Sequence, residues 1–98
     1  MRMANRLPFT GLLLTLLTLI LVPEAYAADP GFCRQYVRAA LIQVRGGLSD
    51  PACAGGLQGT RWSSDFAVHY EWCLGASFDA AAGEKDARTR YLKGCTGR

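Results

Sequence analysis

The strongest hydropathy feature of the chain is an apolar run near its N-terminus. Leu12–Val22 contains only Leu, Ile, Val and Thr, follows two arginines, and is ended by Pro23. Ala25-Tyr26-Ala27 then places small residues on either side of Tyr26, as a signal peptidase site requires. This order predicts a secretory signal peptide over residues 1–27. Because the run is well short of the ~20 apolar residues of a membrane span, we expect cleavage rather than a retained anchor, and no membrane span afterwards.

After this segment, apolar residues recur at the spacing typical of helices. Three helices are predicted within residues 28–98, with boundaries set by capping and stop residues. The first predicted helix covers residues 30–45, is capped by Asp29 and is ended by Gly46-Gly47. The second begins at Ser63 or Ser64 and ends near Gly75, and the third runs from Asp79 to Lys93. The glycine-rich residues 46–61 are predicted to form a loop that a disulfide pins. The predicted fold class is all-α, a small three-helix domain stapled by disulfides.

Four cysteines follow the predicted signal peptide at intervals of about twenty residues: Cys33, Cys53, Cys73 and Cys95. An even cysteine count in an exported chain predicts two disulfides. Zinc sites favour closer ligands, as in C-x-x-C, so we expect no metal. If the helices run up, down and up, the first and third cysteines meet at one end of the domain and the others meet at the opposite end. This layout favours the pairs Cys33–Cys73 and Cys53–Cys95.

The charge of the chain limits its partners. Loss of the signal peptide leaves nine basic and seven acidic residues, a net charge near +2. Nucleic-acid-binding domains usually present a strongly basic face, so we expect no nucleic-acid partner. Three arginines, Arg34, Arg38 and Arg45, share one edge of the first predicted helix. Such an edge is typical of a solvated helix face, and contact with an anionic surface is the alternative.

Residues 61–73 contain the densest set of candidate functional side chains. His69 is the only histidine of the chain, and Asp65 lies four residues before it, within reach on a helix. A catalytic interpretation would add Ser63 or Ser64 as the nucleophile. Both serines are predicted helix caps, however, and no nucleophile-elbow motif surrounds them. We therefore expect no enzyme, no catalytic residue and no cofactor.

The two tryptophans have different predicted roles. Trp62 precedes the second helix and is predicted to be a core residue. Trp72 lies well round that helix from its apolar stripe, beside Asp65 and His69. An exposed Trp on a polar face is a candidate contact for a partner protein or a sugar ring, whereas a neighbouring helix could also cover it. The candidate binding residues are thus Trp72, His69 and Asp65.

Several of these residues form a recognisable pattern. It consists of C-x-x-Y from Cys33, R-W-S-x-x-F-x-x-H-Y-x-W-C from Arg61 to Cys73, and R-x-x-x-L-x-x-C ending at Cys95. The pattern resembles short four-cysteine modules of uncharacterised exported proteins of alphaproteobacteria, and the resemblance covers nearly all of residues 28–98. It implies export and disulfide bonding, in a Gram-negative periplasm rather than an extracellular medium. It implies no activity and no binding residues.

The sequence therefore predicts a periplasmic or secreted accessory module. Our first functional hypothesis is that it binds a protein or an envelope glycan through Trp72 and His69, which requires an exposed Trp72 in a shallow groove. A purely structural spacer, or an appendage of an envelope complex, is the alternative and predicts a buried Trp72. A small hydrolase using His69 is the third hypothesis, and it requires a nucleophile within hydrogen-bond reach of that residue.

Overall fold

A computed structural model describes residues 27–96 of the chain. The elements in chain order are α1 (Pro30–Leu48), α2 (Pro51–Ala54), a 3₁₀ turn (Thr60–Trp62), α3 (Phe66–Leu74) and α4 (Phe78–Thr96). The described residues contain no strand, which confirms the predicted all-α class, with four helices in place of three. None of these helices is long and apolar enough to cross a membrane. Apart from Ala27, the predicted signal peptide lies outside the described residues.

Helix α1 begins at the predicted residue and ends later than predicted. The Asp29 carboxylate caps it by accepting a hydrogen bond from the Phe32 amide at 2.8 Å. The helix then continues through Gly46-Gly47 to Leu48, so the predicted glycine stop is wrong. Ser49 is the C-cap, and its amide donates to the carbonyl of Arg45 at 3.1 Å.

Close packing explains why α1 contains glycine instead of ending at it. A Cβ atom at Gly47 would lie 2.7 Å from a methyl of Leu57 and 3.0 Å from a methyl of Leu92. Gly47 is buried, and these two leucines belong to the cluster around Val44 that packs on this turn of the helix. The close approach of the leucines offsets the cost of ~1 kcal/mol that glycine imposes on a helix relative to alanine.

The segment predicted as a loop, residues 46–61, contains the end of α1 and two short elements. Asp50 caps α2 by accepting a backbone hydrogen bond at 2.9 Å, and α2 places Cys53 in the interior. Gly59 has a φ of 90°, a value that L side chains rarely adopt, and it leads into the 3₁₀ turn. The turn delivers Trp62 to the core, as predicted.

Helix α3 uses a different cap from the predicted one. Asp65, rather than Ser63 or Ser64, is the N-cap, and its carboxylate accepts from the Ala67 amide at 2.9 Å. The Ser63 hydroxyl accepts from the Asp65 amide at 3.0 Å, which forms a local turn just before the helix. Ser and Asp side chains compete for the same capping role, and this turn decides between them.

Helix α4 also starts and ends beyond its predicted bounds. Ser77 precedes it, and the Ser77 hydroxyl accepts from the Ala80 amide at 3.0 Å, so Asp79 lies in the first turn instead of capping it. At the other end the helix passes Gly94 and reaches Thr96. Cys95 is buried and disulfide-bonded in this last turn, which anchors it beyond the predicted glycine stop.

Two disulfides join the helices in the predicted pairs. Cys33–Cys73 connects α1 to α3 with a Cα–Cα distance of 5.6 Å, and Cys53–Cys95 connects α2 to α4 with a distance of 5.2 Å. They span 40 and 42 residues of chain, and a disulfide closing such a loop contributes about 2–4 kcal/mol. The prediction from the helix layout is confirmed.

The core consists of two apolar clusters packed along α1. The first surrounds the Cys33–Cys73 disulfide and contains Ala28, Tyr36, Val37 and Ala81. The second contains Val44, Leu57 and Trp62, with Leu92 packed against it. On α4, Arg88 lies in the sequence between Ala81 of the first cluster and Leu92 of the second. A polar layer therefore interrupts the core of this small domain.

The neighbouring glycines of α1 give a matched test of this packing. We expect Gly47→Ala to cost about 1–3 kcal/mol of unfolding free energy, because its Cβ displaces the Leu57 and Leu92 methyls. Gly46→Ala is the control, since nothing lies within 4 Å of its Cβ position, and it should gain up to about 1 kcal/mol of helix propensity. Urea unfolding of both oxidised variants measures the difference. Equal stabilisation by the two alanines would contradict the close approach at Gly47.

Candidate binding cleft

A cleft of about 260 Å³ opens where α1, α3, α4 and the 3₁₀ turn meet. All four elements line it: Tyr36 from α1; Thr60 and Arg61 from the turn; Val68, His69 and Trp72 from α3; Glu84 and Arg88 from α4. Seven of these eight side chains carry a hydrogen-bonding group, the exception being Val68. The cleft thus brings together two of the three predicted binding residues, Trp72 and His69, with charged groups from distant parts of the chain.

A second groove, of about 370 Å³, lies between α1 and α4. Four of its seven lining residues are alanine or phenylalanine, and its one charged lining residue, Lys85, is exposed. The cleft beside Trp72 is the candidate site, because it contains two of the predicted binding residues and because four separate elements contribute its polar side chains.

Trp72 forms an open edge of the cleft. Trp72 is 45% exposed. The sequence left open whether it is exposed or covered by a neighbouring helix, and the structure shows the exposed alternative. The Trp72 ring centroid lies 5.6 Å from that of Tyr36, with 32° between the ring planes, and Tyr36 itself is buried. Tyr36 therefore supports the indole from the core side and leaves much of it available to a partner.

His69 is buried, with only 3% of its surface exposed. Its Nε2 atom lies 2.7 Å from the carbonyl oxygen of Ser63. Because a carbonyl only accepts, Nε2 must carry the proton, which leaves Nδ1 as the acceptor in the neutral ring. This hydrogen bond ties α3 to the segment after the 3₁₀ turn and holds the imidazole in the wall of the cleft.

Asp65 has no part in the lining of the cleft. Its carboxylate caps α3, and the contact with His69 that their spacing allowed is replaced by the bond from His69 to Ser63. The Ser63 hydroxyl in turn accepts from the Asp65 backbone. The side chains of Ser63, Asp65 and His69 thus all make structural hydrogen bonds to backbone atoms of this segment, and their geometry gives no support to a hydrolase built on His69.

The most unusual group of the cleft is the guanidinium of Arg88. The residue is fully buried, yet an arginine is always charged. Its Cζ lies 5.2 Å from the ring centroid of Tyr36, within cation–π range, and its Nε donates to Gln43 Oε1 at 2.6 Å. Its terminal nitrogens, Nη1 and Nη2, have no hydrogen-bond partner among the described residues. A buried donor without a partner costs roughly 1–3 kcal/mol, and more when it is charged.

Gln43 fixes the orientation of this guanidinium. Its Nε2 donates to Thr89 Oγ1 at 2.9 Å and to the Lys85 carbonyl at 3.2 Å, both on α4. These two acceptors define the nitrogen side of the amide, so the oxygen side faces Arg88. Because Nε is engaged in this way, the terminal pair Nη1 and Nη2 is the part of Arg88 left for another partner.

Glu84 forms ion pairs with two arginines, a close one with Arg61 and a longer one with Arg88. Its carboxylate accepts from Arg61 Nε at 2.6 Å and from Arg61 Nη2 at 3.1 Å, a two-point contact. The shortest separation between Glu84 and Arg88 is 3.9 Å, from Oε2 to Nη1. Two guanidinium groups and one carboxylate therefore line the cleft, which leaves a formal charge of +1 from these three residues.

Other predicted features lie away from the cleft. Arg34, Arg38 and Arg45 are all exposed on α1, next to Ile42, which is also exposed. They have no role in the cleft lining. All four cysteines are engaged in disulfides, which removes them as metal ligands.

Sequence reasoning missed the charged part of the site. Arg88 carries a charge, and the spacing Glu84-x-x-x-Arg88 reads as a solvent-exposed ion pair on a helix. The signal that could have located it is periodicity, because the buried residues of α4 are Ala81, Arg88 and Cys95, at intervals of seven. A disulfide at Cys95 sets that face of α4 inward, and Arg88 lies two turns before it on the same face.

The burial of Tyr36 predicts a loss of stability at alkaline pH. Burial raises the pKa of the Tyr36 phenol, while the nearby Arg88 guanidinium acts in the opposite direction. The folded protein therefore holds this proton more tightly than the unfolded chain does. The contribution of this proton to the free energy of unfolding is fully present below the pKa of an unfolded tyrosine, about 10. It is lost as the pH rises through the higher pKa of Tyr36 in the folded protein.

We expect the free energy of unfolding of the wild type to fall more steeply above pH ~10 than that of Tyr36→Phe. Denaturant unfolding between neutral pH and pH ~11 measures the two slopes. Tyr70→Phe, which removes a hydroxyl from a partly buried tyrosine of α3, is the control. If the free energies of unfolding of the wild type and Tyr36→Phe change with pH in parallel, folding does not raise the pKa of Tyr36.

Comparison of the chain with protein-family models, with curated proteins and with solved structures finds no match. The function is therefore inferred from the cleft itself: an exposed indole, a buried histidine, and a buried guanidinium whose terminal nitrogens have no partner in the described part of the chain.

Proposed function

We propose that this chain is an exported binding module that engages a protein or an envelope glycan through the cleft beside Trp72. The observation that carries the proposal is the 45% exposure of Trp72 at a cleft on which polar side chains from four elements converge. Tryptophan contributes strongly to recognition because it buries a large apolar area while few rotatable bonds are fixed.

The rigid setting of Trp72 supports this proposal. The next residue, Cys73, is disulfide-bonded to α1, and the ring contact with buried Tyr36 lies behind the indole. A side chain held in this way loses little conformational entropy when a partner binds, so more of the contact energy appears as affinity.

The disulfides support the exported location. Two disulfides and no free cysteine in the described residues fit an oxidising compartment such as the periplasm or the extracellular medium. Together with the predicted signal peptide, they support a periplasmic or secreted module.

A purely structural spacer is the weaker alternative. That hypothesis predicts a buried Trp72, whereas the indole is half-exposed. A spacer also gains nothing from Arg88, because an apolar side chain of similar size would fill the same volume without leaving buried donors unpaired. Both features favour a binding role.

Replacement of Trp72 tests the proposal. The oxidised protein, produced from the full 98-residue chain, is immobilised and challenged with an envelope extract and with an array of envelope glycans. We expect Trp72→Ala to weaken the captured interaction by ~10-fold or more, because a central aromatic contact is lost. Phe66→Ala is the matched control, since Phe66 lies on the same helix with 43% exposure and should behave as the wild type.

The outcomes separate the two hypotheses. Retention by the wild type and by Phe66→Ala, with loss for Trp72→Ala, supports recognition through the cleft. Identical profiles for all three proteins would refute it and favour the spacer.

A further inference from the structure

The terminal nitrogens of Arg88 identify the kind of group that the cleft accepts. Arg88 is fully buried, it lines the cleft, and its Nη1 and Nη2 have no hydrogen-bond partner among the described residues. An arginine cannot shed its proton, and the Tyr36 ring, Gln43 and the Glu84 carboxylate at 3.9 Å compensate its charge only in part, so a bound anion would complete the compensation. The Nε bond to Gln43 leaves the two terminal nitrogens as a fork, and this geometry suits two oxygens of one anionic group.

Glu84 makes no hydrogen bond to this fork, because its carboxylate is engaged by Arg61. Its carboxylate makes two short contacts with Arg61 and only a 3.9 Å approach to Arg88. The Arg61–Glu84 pair lies nearer the surface, with side-chain exposures of 46% and 23%. It therefore neutralises the mouth of the cleft and leaves the charge of Arg88 for a ligand.

The charge balance favours a carboxylate over a phosphate. The three charged lining residues sum to +1, which one carboxylate neutralises. A phosphate near neutral pH carries up to two negative charges, and the second would face the Glu84 carboxylate. The site thus matches a singly charged anion.

The rest of the lining favours a sugar as the carrier of that carboxylate. Thr60, Arg61 and His69 line the same cleft with hydrogen-bonding groups, which suit a ligand rich in hydroxyls. Trp72 adds an exposed flat ring, the surface on which a sugar ring stacks. A peptide C-terminus would need an apolar pocket for its last side chain, and Val68 is the single aliphatic residue of the lining. A volume of 260 Å³ also fits one ring better than a longer segment.

We infer that the cleft binds an acidic sugar, with the sugar carboxylate on Nη1 and Nη2 of Arg88 and the sugar ring against Trp72. This inference rests on the proposed function and specifies its ligand class. Gln43 acts as a positioning residue, because its bond to Nε turns the terminal nitrogens of Arg88 toward the ligand.

The direct test follows side-chain NMR signals in the unaltered protein. Oxidised protein from the full chain, labelled with ¹⁵N, is titrated with glucuronate, and the guanidinium signals of Arg88 and the indole signal of Trp72 are recorded. Glucose supplies the same ring without the carboxylate, and acetate supplies the carboxylate without the ring. Inorganic phosphate and an N-acetylated dipeptide with a free C-terminus represent the competing anions.

Saturable shifts of both residues with glucuronate, and binding ~10-fold or more weaker for each other probe, would support the inference. Equal binding of glucose at Trp72 would overturn the role of Arg88 while the proposed function stands. Equal or tighter binding of acetate, phosphate or the dipeptide would overturn the assignment to an acidic sugar. Failure of every probe to shift either residue would overturn the inference, whereas the Trp72→Ala comparison decides the proposed function separately.

Two substitutions provide an independent check. Glu84→Gln removes the negative charge from the cleft and should therefore tighten glucuronate binding several-fold. Glu71→Gln, an exposed change on α3, is the control and should leave glucuronate binding unchanged.

Arg88→Met should abolish the preference of the cleft for glucuronate over glucose. Arg90→Met, which replaces an exposed arginine of the same helix, is the control. If Arg88→Met fails to fold, the guanidinium signals of the wild type still decide. Unchanged glucuronate affinity in Glu84→Gln would contradict an anion seated in this cleft.

Discussion

Two covalent cross-links at opposite ends of a small helical domain are the constraint on which the rest of the structure depends. Cys33–Cys73 and Cys53–Cys95 together tie α1 to α3 and α2 to α4. Each contributes about 2–4 kcal/mol, which is comparable with the net stability of so short a chain. Because the ends are held covalently, the layer between them need not be a continuous apolar core. That freedom allows a charged side chain to occupy the interior.

The polar middle layer is organised around Arg88. Its guanidinium is partly compensated by the Tyr36 ring and by Gln43, while its terminal nitrogens have no hydrogen-bond partner in the part of the chain that the structure describes. A well-packed apolar side chain at this position would often give equal or greater stability. Sites that sacrifice stability in this way tend to be functional, because binding groups must be fixed before the ligand arrives. The energetic cost of Arg88 and the exposure of Trp72 therefore point to the same cleft.

The cleft combines a rigid aromatic platform with a buried charge that its neighbours compensate only in part. Trp72 is braced by the disulfide at the next residue and by Tyr36 behind it, so its indole is already in place for stacking. Glu84 makes hydrogen bonds to Arg61 and only a 3.9 Å ion pair with Arg88, so the terminal nitrogens of Arg88 have no hydrogen bond within the described residues. The aromatic platform gives contact area, and the fork gives charge specificity. A domain of this size can thus recognise a small acidic group without a large interface.

The sequence by itself determined the helical class and the burial of Trp62, because apolar periodicity is a local signal. For the disulfides it only favoured one of three pairings, through an assumed up-down-up order of the helices, and the structure confirms that pairing. The sequence misjudged where α1 ends, since whether Gly47 stops a helix or accommodates Leu57 depends on a neighbour distant in the chain. It also left the exposure of Trp72 open, and the inward-facing spacing of Arg88 with Ala81 and Cys95 was not enough to identify Arg88 as part of the site. Only the tertiary structure decided those, because burial of a charge and choice of its partners depend on contacts between segments 23 to 45 residues apart. Periodicity can indicate that a side chain faces inward, but the groups that meet it there are set by how the helices pack.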